Sequence, residues 1–157
     1  MSAPAPDLHA RLLASTPSEY GLAASAELPH VWALLMEMSV SNAVASLAAV
    51  ADGSTSMYFS GGGGIIGGGE HQSVREANRQ LLIAAEKLLG GFVAKDAALK
   101  VMPSAVSFVV LTFEGLRVAR DTEERLKAKT SPLWPVFYLG HAVITALRTA
   151  TEGQGRR

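Results

Sequence analysis

A strand buried on both faces is predicted between Ala105 and Phe113, where the chain reads AVSFVVLTF. Most of these residues are β-branched or aromatic, which favours a strand. The second half of the run is apolar at every position, a pattern typical of a strand in the middle of a sheet with cover on both sides. The chain is therefore expected to build a central sheet with helices against it.

The spacing of apolar residues predicts a long helix over residues 70–89. Apolar side chains recur there every three or four positions, as on an amphipathic helix, and Gly90-Gly91 follows as a stop. The side chains expected to be buried are Val74, Leu81 and Leu88. The side chains expected to be exposed are Arg75, Arg79 and Glu86.

The remaining elements are predicted from local patterns of the same kind. Asp52-Gly53 between two apolar runs is a strong hairpin signal. The predicted elements are a short helix over Asp7–Ala14, a helix from Pro29 to Met38, strands Val44–Ala51 and Ser54–Ser60, a short strand Ala98–Met102, a strand Leu116–Arg120, an exposed charged connection over 121–129 and a last helix beginning near Pro132 and Pro135.

These elements predict one α/β (α+β) domain with a central, mostly antiparallel sheet of about five strands. Their order is α-ββ-α-βββ-α, with helices flanking the sheet. The domain is expected to span residues 29–151, after a mobile N-terminal lead-in over 1–28 and before a polar tail over 152–157.

Composition narrows the possible functions. The chain has no cysteine, which excludes disulfides, thiolate catalysis and Cys-ligated metals and fits a cytoplasmic location. Fourteen basic residues balance fourteen acidic ones, so nothing in the net charge attracts nucleic acid. The N-terminus lacks the pattern of a signal peptide, and no apolar stretch reaches the length of a membrane span. At 48% apolar residues, the domain is expected to leave apolar surface for a partner.

The sharpest local feature is the segment GGGGIIGGG, in which seven of nine residues are glycine. Three interpretations stay open: a phosphate-cradling loop before a helix, a flexible or tightly apposed connector, and a strand end held where two backbones meet. No lysine and hydroxyl follow it as in a P-loop. The candidate binding residues are Gly61, Gly62, Gly63, Gly64, Ile65, Ile66, Gly67, Gly68, Gly69, Glu70, His71 and Arg75.

Catalysis is not expected from the residue patterns. Glu70 and His71 are adjacent, and adjacent helical positions point about 100° apart, so the two side chains would not work as an acid–base pair. No two of the four histidines have metal-ligand spacing, and no nucleophile elbow is present. The expectation is a protein that is not an enzyme, with no metal and no cofactor.

The order of elements resembles the Roadblock/LC7 group of profilin-like domains. The matching features are the Asp52-Gly53 turn, the helix after the glycine segment, the Ala105–Arg120 hairpin and the terminal helix. The resemblance implies a non-catalytic homodimer that binds another protein, such as a small Ras-like GTPase. The leading hypothesis is therefore a homodimeric interaction platform or scaffold. The alternative is a small-ligand or anion sensor that uses the glycine segment and the start of the next helix.

Overall fold

A computed structural model describes residues 8–40, 43–60, 64–66, 68–95 and 102–155. These residues form a seven-stranded antiparallel sheet with β1 at its centre, in the order β4-β3-β2-β1-β6-β7-β5. The strands are β1 Val31–Val40, β2 Ala43–Val50, β3 Thr55–Phe59, β4 Gly64–Ile66, β5 Val93–Lys95, β6 Ala105–Thr112 and β7 Gly115–Thr122. The helices are α1 Leu8–Leu13, α2 Gln72–Lys87, α3 Glu123–Lys127 and α4 Trp134–Gly155.

The two faces of the sheet are covered by different layers. Helices α2 and α4 contact each other and cover one face, where Leu34, Leu81 and Leu147 are fully buried in a common core. On the opposite face, Leu12 of α1 packs in a second cluster with Trp32. The predicted α+β class, an antiparallel sheet flanked by helices, is confirmed.

The helix predicted from Pro29 to Met38 is wrong, because residues 31–40 form the central strand β1. Residues 31–38 are buried at every position. A strand that is paired on both edges and covered on both faces has no exposed side, so its sequence is a continuous apolar run. Periodicity alone cannot distinguish such a run from a buried helix. The predicted order α-ββ-α-βββ-α is therefore wrong before α2, where the described residues form four strands instead of two, and the sheet has seven strands instead of about five.

Most of the other predicted elements are confirmed. Strands β2 and β3 form the expected hairpin, in which Gly53 has φ of 101°, the left-handed region that favours glycine. Strands β6 and β7 form the second expected hairpin. The charged connection contains the short helix α3, whose N-cap Thr122 accepts a hydrogen bond from the Arg125 N–H at 3.2 Å. The short strand predicted over residues 98–102 falls outside the described residues except for Met102, which lies in no strand.

Helix α2 presents the expected face with one exception. Val74 and Leu81 are fully buried, Leu88 is partly buried, and Arg75 and Arg79 are exposed.

Glu86 was expected on the exposed side but is largely buried, with 12% of its side chain exposed. Its carboxylate accepts hydrogen bonds from the backbone N–H groups of His30 and Val31, each at 2.9 Å, and lies 2.8 Å from His30 Nδ1. Burial raises the pKa of the carboxyl, but the hydrogen bonds from Val31 and His30 outweigh burial and hold the pKa below its ordinary value. Glu86 thus ties the end of α2 to the beginning of β1.

The segment before residue 29 contributes to the packed domain. Leu12 and Leu28 are each only 4% exposed and belong to the two core clusters. Tyr20 packs its ring 5.7 Å from that of Trp32. The domain boundary predicted at residue 29 therefore lies too far along the chain.

Candidate interaction groove

The glycine segment ends in a short edge strand and a tight turn. Gly61, Gly62, Gly63 and Gly67 lie outside the described residues. Strand β4 contains Gly64, Ile65 and Ile66 and pairs with β3, so that Ile65 is opposite Met57 and Ile66 is opposite Ser56. Of the three interpretations of the segment, the strand end agrees with this pairing.

Gly68 and Gly69 are placed where a side chain would collide with its neighbours. A Cβ on Gly69 would stand 2.7 Å from the Gly53 carbonyl oxygen, and a Cβ on Gly68 would overlap Leu147 of α4. The turn is thus held between the β2–β3 hairpin and α4. Close approach of two backbones is a reason for glycine that needs no ligand.

The three charged or polar candidates beside this turn point to different surroundings. Arg75 Nη1 donates a 2.9 Å hydrogen bond to the Gly69 carbonyl oxygen, and Arg75 lines a shallow depression with Asp52. His71 is the N-cap of α2, and its carbonyl oxygen accepts the N–H of Arg75 at 3.0 Å. Glu70 is exposed and lines a separate, larger groove together with Gly69. Glu70 and Arg75 therefore line different grooves.

The larger groove, called the sheet groove below, has a volume of about 850 Å³ and lies between the N-terminal segment and strands β2 and β3. Its floor is apolar and consists of Leu12, Ala48 and Val50. Because successive side chains of a strand alternate between faces, Ala48 and Val50 both point to this side of β2. The short side chain of Ala48 keeps the floor low, which leaves room above it.

Polar side chains form the rim of the sheet groove. The N-terminal wall carries Arg11, Ser15 and Glu19, and the opposite wall carries Ser54, Ser56, Gly69 and Glu70. The N-terminal wall is internally bonded: Ser15 Oγ donates to the Arg11 carbonyl oxygen at 2.6 Å, and Glu19 Oε2 accepts the Thr16 N–H at 2.7 Å. Local hydrogen bonds therefore hold the Ser15 hydroxyl and the Glu19 carboxylate of this wall in place.

The charge of the rim favours some occupants over others. Glu19 and Glu70 contribute two carboxylates, and Arg11 contributes one guanidinium. Two carboxylates repel a phosphate, so the rim does not suit the phosphate-cradling interpretation of the glycine segment. A chain segment with both polar and apolar side chains matches the rim and the floor better.

A buried polar row continues this face of the sheet. Ser46 lies two positions before Ala48, on the same side of β2, and its Oγ donates to Glu37 Oε2 at 2.9 Å. Glu37 is only 2% exposed, and in the register of β1 and β6 it faces Ser107, which is fully buried. In the described part of the chain the Ser107 hydroxyl has no hydrogen-bond partner. In the sequence, the sign of this row is Glu37, a single glutamate within an apolar run. A helix predicted over that run gives no indication that Glu37 belongs to a row across a sheet.

No protein-family model, curated protein or solved structure matches the chain. The Roadblock/LC7 resemblance therefore depends on the order of elements alone, and the strand β1 in place of a first helix departs from that order. Among the described residues, none of the helices combines the length and the apolar character that crossing a bilayer requires.

Proposed function

We propose that this chain is a non-catalytic, homodimeric protein-interaction platform that holds an extended segment of a partner in the sheet groove. The observation that carries the proposal is the construction of the groove, which has an apolar floor between two polar walls. Protein interfaces share this arrangement, with an apolar centre that provides most of the binding energy and a polar rim.

The shape of the groove supports a chain segment as its occupant. The floor follows β2 and is open above Ala48, which is half-buried. An extended peptide that lies over this face of the sheet alternates its side chains, so that every second one reaches the floor and the others meet the rim. The rim offers hydroxyl groups from Ser15, Ser54 and Ser56 and charges of both signs.

A second candidate is a small-ligand or anion sensor in the same place. The volume of about 850 Å³ favours it, since it falls within the roughly 300–1,000 Å³ of small-molecule sites. The carboxylates of Glu19 and Glu70 weigh against an anion. Binding of inorganic phosphate or a nucleotide in the groove is therefore the outcome that would favour this second candidate.

Peptides selected from a randomised library displayed on phage test the groove. We expect binders whose affinity falls about tenfold or more in Ala48→Arg, because the new side chain fills the floor and brings a charge into it. The matched control is Ala142→Arg, which places the same side chain on the exposed side of α4, across the sheet from the groove. Fluorescence anisotropy measures the affinities, and thermal unfolding checks that both variants fold.

Selected peptides that bind Ala48→Arg and the wild type equally would contradict the groove as the binding site. A library without binders, together with a groove that takes up phosphate or a nucleotide, would favour the sensor instead. The Roadblock/LC7 resemblance makes a small GTPase the first natural partner to try, and the cysteine-free sequence supports work in the cytoplasm.

The homodimer is a separate expectation. The sheet is open, and its edge strand β5 has all three residues exposed, with Val93 at 62%. Exposed edge strands pair readily with another chain, and a two-fold dimer would cover such an edge. We expect light scattering to give twice the chain mass at micromolar concentrations. A monomer mass throughout that range would contradict the dimer and leave the groove proposal standing.

A further inference from the structure

A second cavity lies on the opposite side of the sheet from the groove. It has a volume of about 460 Å³ and opens between α4 and the ends of β1, β2 and β3. Its wall is mainly apolar, with Met38, Met57, Phe59 and Ile144 as the large side chains. The volume is within the roughly 300–1,000 Å³ of small-molecule sites. Methionine side chains are flexible and polarisable, so two of them let such a wall adapt to an occupant.

Two basic side chains of α4 join this apolar wall. His141, Ile144 and Arg148 are three and seven positions apart, which places them on one stripe of the helix. Arg148 is exposed, and within the described part of the chain its guanidinium makes no hydrogen bond or ion pair. A free guanidinium beside an apolar cavity is ready to receive an anionic group.

The His141 ring lies on the same stripe of α4 and is partly buried. It packs edge-on against Phe137 at 4.6 Å, and its buried Nε2 has no hydrogen-bond partner among the residues that the structure describes. Burial lowers the pKa of the imidazole, while Glu123 of α3 raises it and Lys127 of α3 lowers it. His141 thus lines the cavity one turn of α4 before Ile144, and Arg148 lies about one turn after Ile144.

We propose that this cavity binds a small aliphatic carboxylate, with the carboxylate on Arg148 and the alkyl chain among Met38, Met57, Phe59 and Ile144. The planar guanidinium matches a carboxylate through two parallel hydrogen bonds. A cation would be repelled by Arg148, and a neutral alkane would make no charge-assisted hydrogen bond with its guanidinium. The site is independent of the sheet groove, so either can fail without the other.

Octanoate, below the concentration at which it forms micelles, is the test ligand. Methyl-labelled methionine provides the NMR readout, since Met38 and Met57 line the cavity whereas Met102 is elsewhere and exposed. We expect the methyl resonances of Met38 and Met57 to shift in a saturable way while that of Met102 stays in place. Octanol, with the same chain and no charge, serves as the reference ligand.

The variant Arg148→Gln should weaken octanoate binding about tenfold or more and leave octanol binding unchanged, because only the charge-assisted hydrogen bonds are lost. Arg148→Lys should retain part of the affinity. The matched control Arg79→Gln removes an exposed guanidinium from α2, away from the cavity, and should change neither ligand's affinity. Octanoate that leaves Met38 and Met57 unshifted at millimolar concentration, or that binds Arg148→Gln as tightly as the wild type, would overturn the proposal.

Discussion

Replacing Leu81 with alanine is expected to lower the free energy of unfolding by about 2–5 kcal/mol. Leu81 is fully buried in the core cluster that α2 and α4 form over the sheet. Truncation removes apolar surface from that cluster and leaves a cavity, since packed neighbours relax only in part. Urea unfolding followed by circular dichroism measures the change.

The matched control for Leu81 is its neighbour Gln80, which is exposed on the same helix. Gln80→Ala should change the free energy of unfolding by no more than about 0.5 kcal/mol, because the substitution leaves helix propensity and burial nearly unaltered. Equal stability of Leu81→Ala and Gln80→Ala would show that the buried face of α2 has been assigned wrongly.

Gly69→Ala is expected to cost about 1–3 kcal/mol of folding free energy, the usual range for an overpacked site. The new methyl group would meet the Gly53 carbonyl oxygen at 2.7 Å and Ser54 Cα at 3.2 Å. Both neighbours are backbone atoms of the β2–β3 hairpin, so no side chain can rotate away to make room. Thermal and urea unfolding of the variant measure the loss.

Two comparisons distinguish close packing from a general effect of removing glycine. Gly90→Ala adds a methyl group at a position where no other heavy atom of the described residues stands within 4 Å, and should be within about 0.5 kcal/mol of the wild type. Glu70→Ala removes the exposed carboxylate next to Gly69 and should cost less than about 1 kcal/mol through the helix dipole. If Gly69→Ala were as stable as Gly90→Ala, the turn would not need the close approach.

Local sequence patterns predict those elements of this fold that have one exposed face or one clear boundary. Helix α2 was predictable because Arg75 and Arg79 are exposed opposite Val74 and Leu81. Strand β6 was predictable despite its burial because most of its residues are β-branched or aromatic. Strand β1 was not, because VWALLMEM contains a single β-branched residue and good helix formers among its other positions. Residues 31–40 form a strand because they pair with β2 and β6, and that pairing depends on distant parts of the chain.

The candidate site was predictable only on one wall. Gly69 and Glu70 stood out in the sequence, and they do line the sheet groove. The other wall, with Arg11 and Glu19, comes from a segment that was expected to lie outside the domain. This segment contacts β2 because Leu12 packs in the second core cluster. The spacing of apolar residues along the chain does not predict that contact. The cavity beside Arg148 was missed for the same reason, since strands and helix from distant parts of the chain form its wall.

The central position of β1 has a consequence for folding during synthesis on the ribosome. β1 can pair with β2 as soon as both have left the exit tunnel, but its other edge waits for β6, where Met38 meets Val106 and Val31 meets Thr112. At roughly 5–20 residues per second, synthesis takes several seconds to supply that partner. During this interval one edge of β1, a mostly apolar strand, has no partner. Chaperones that bind extended apolar segments are therefore expected to act on β1 until β6 is available.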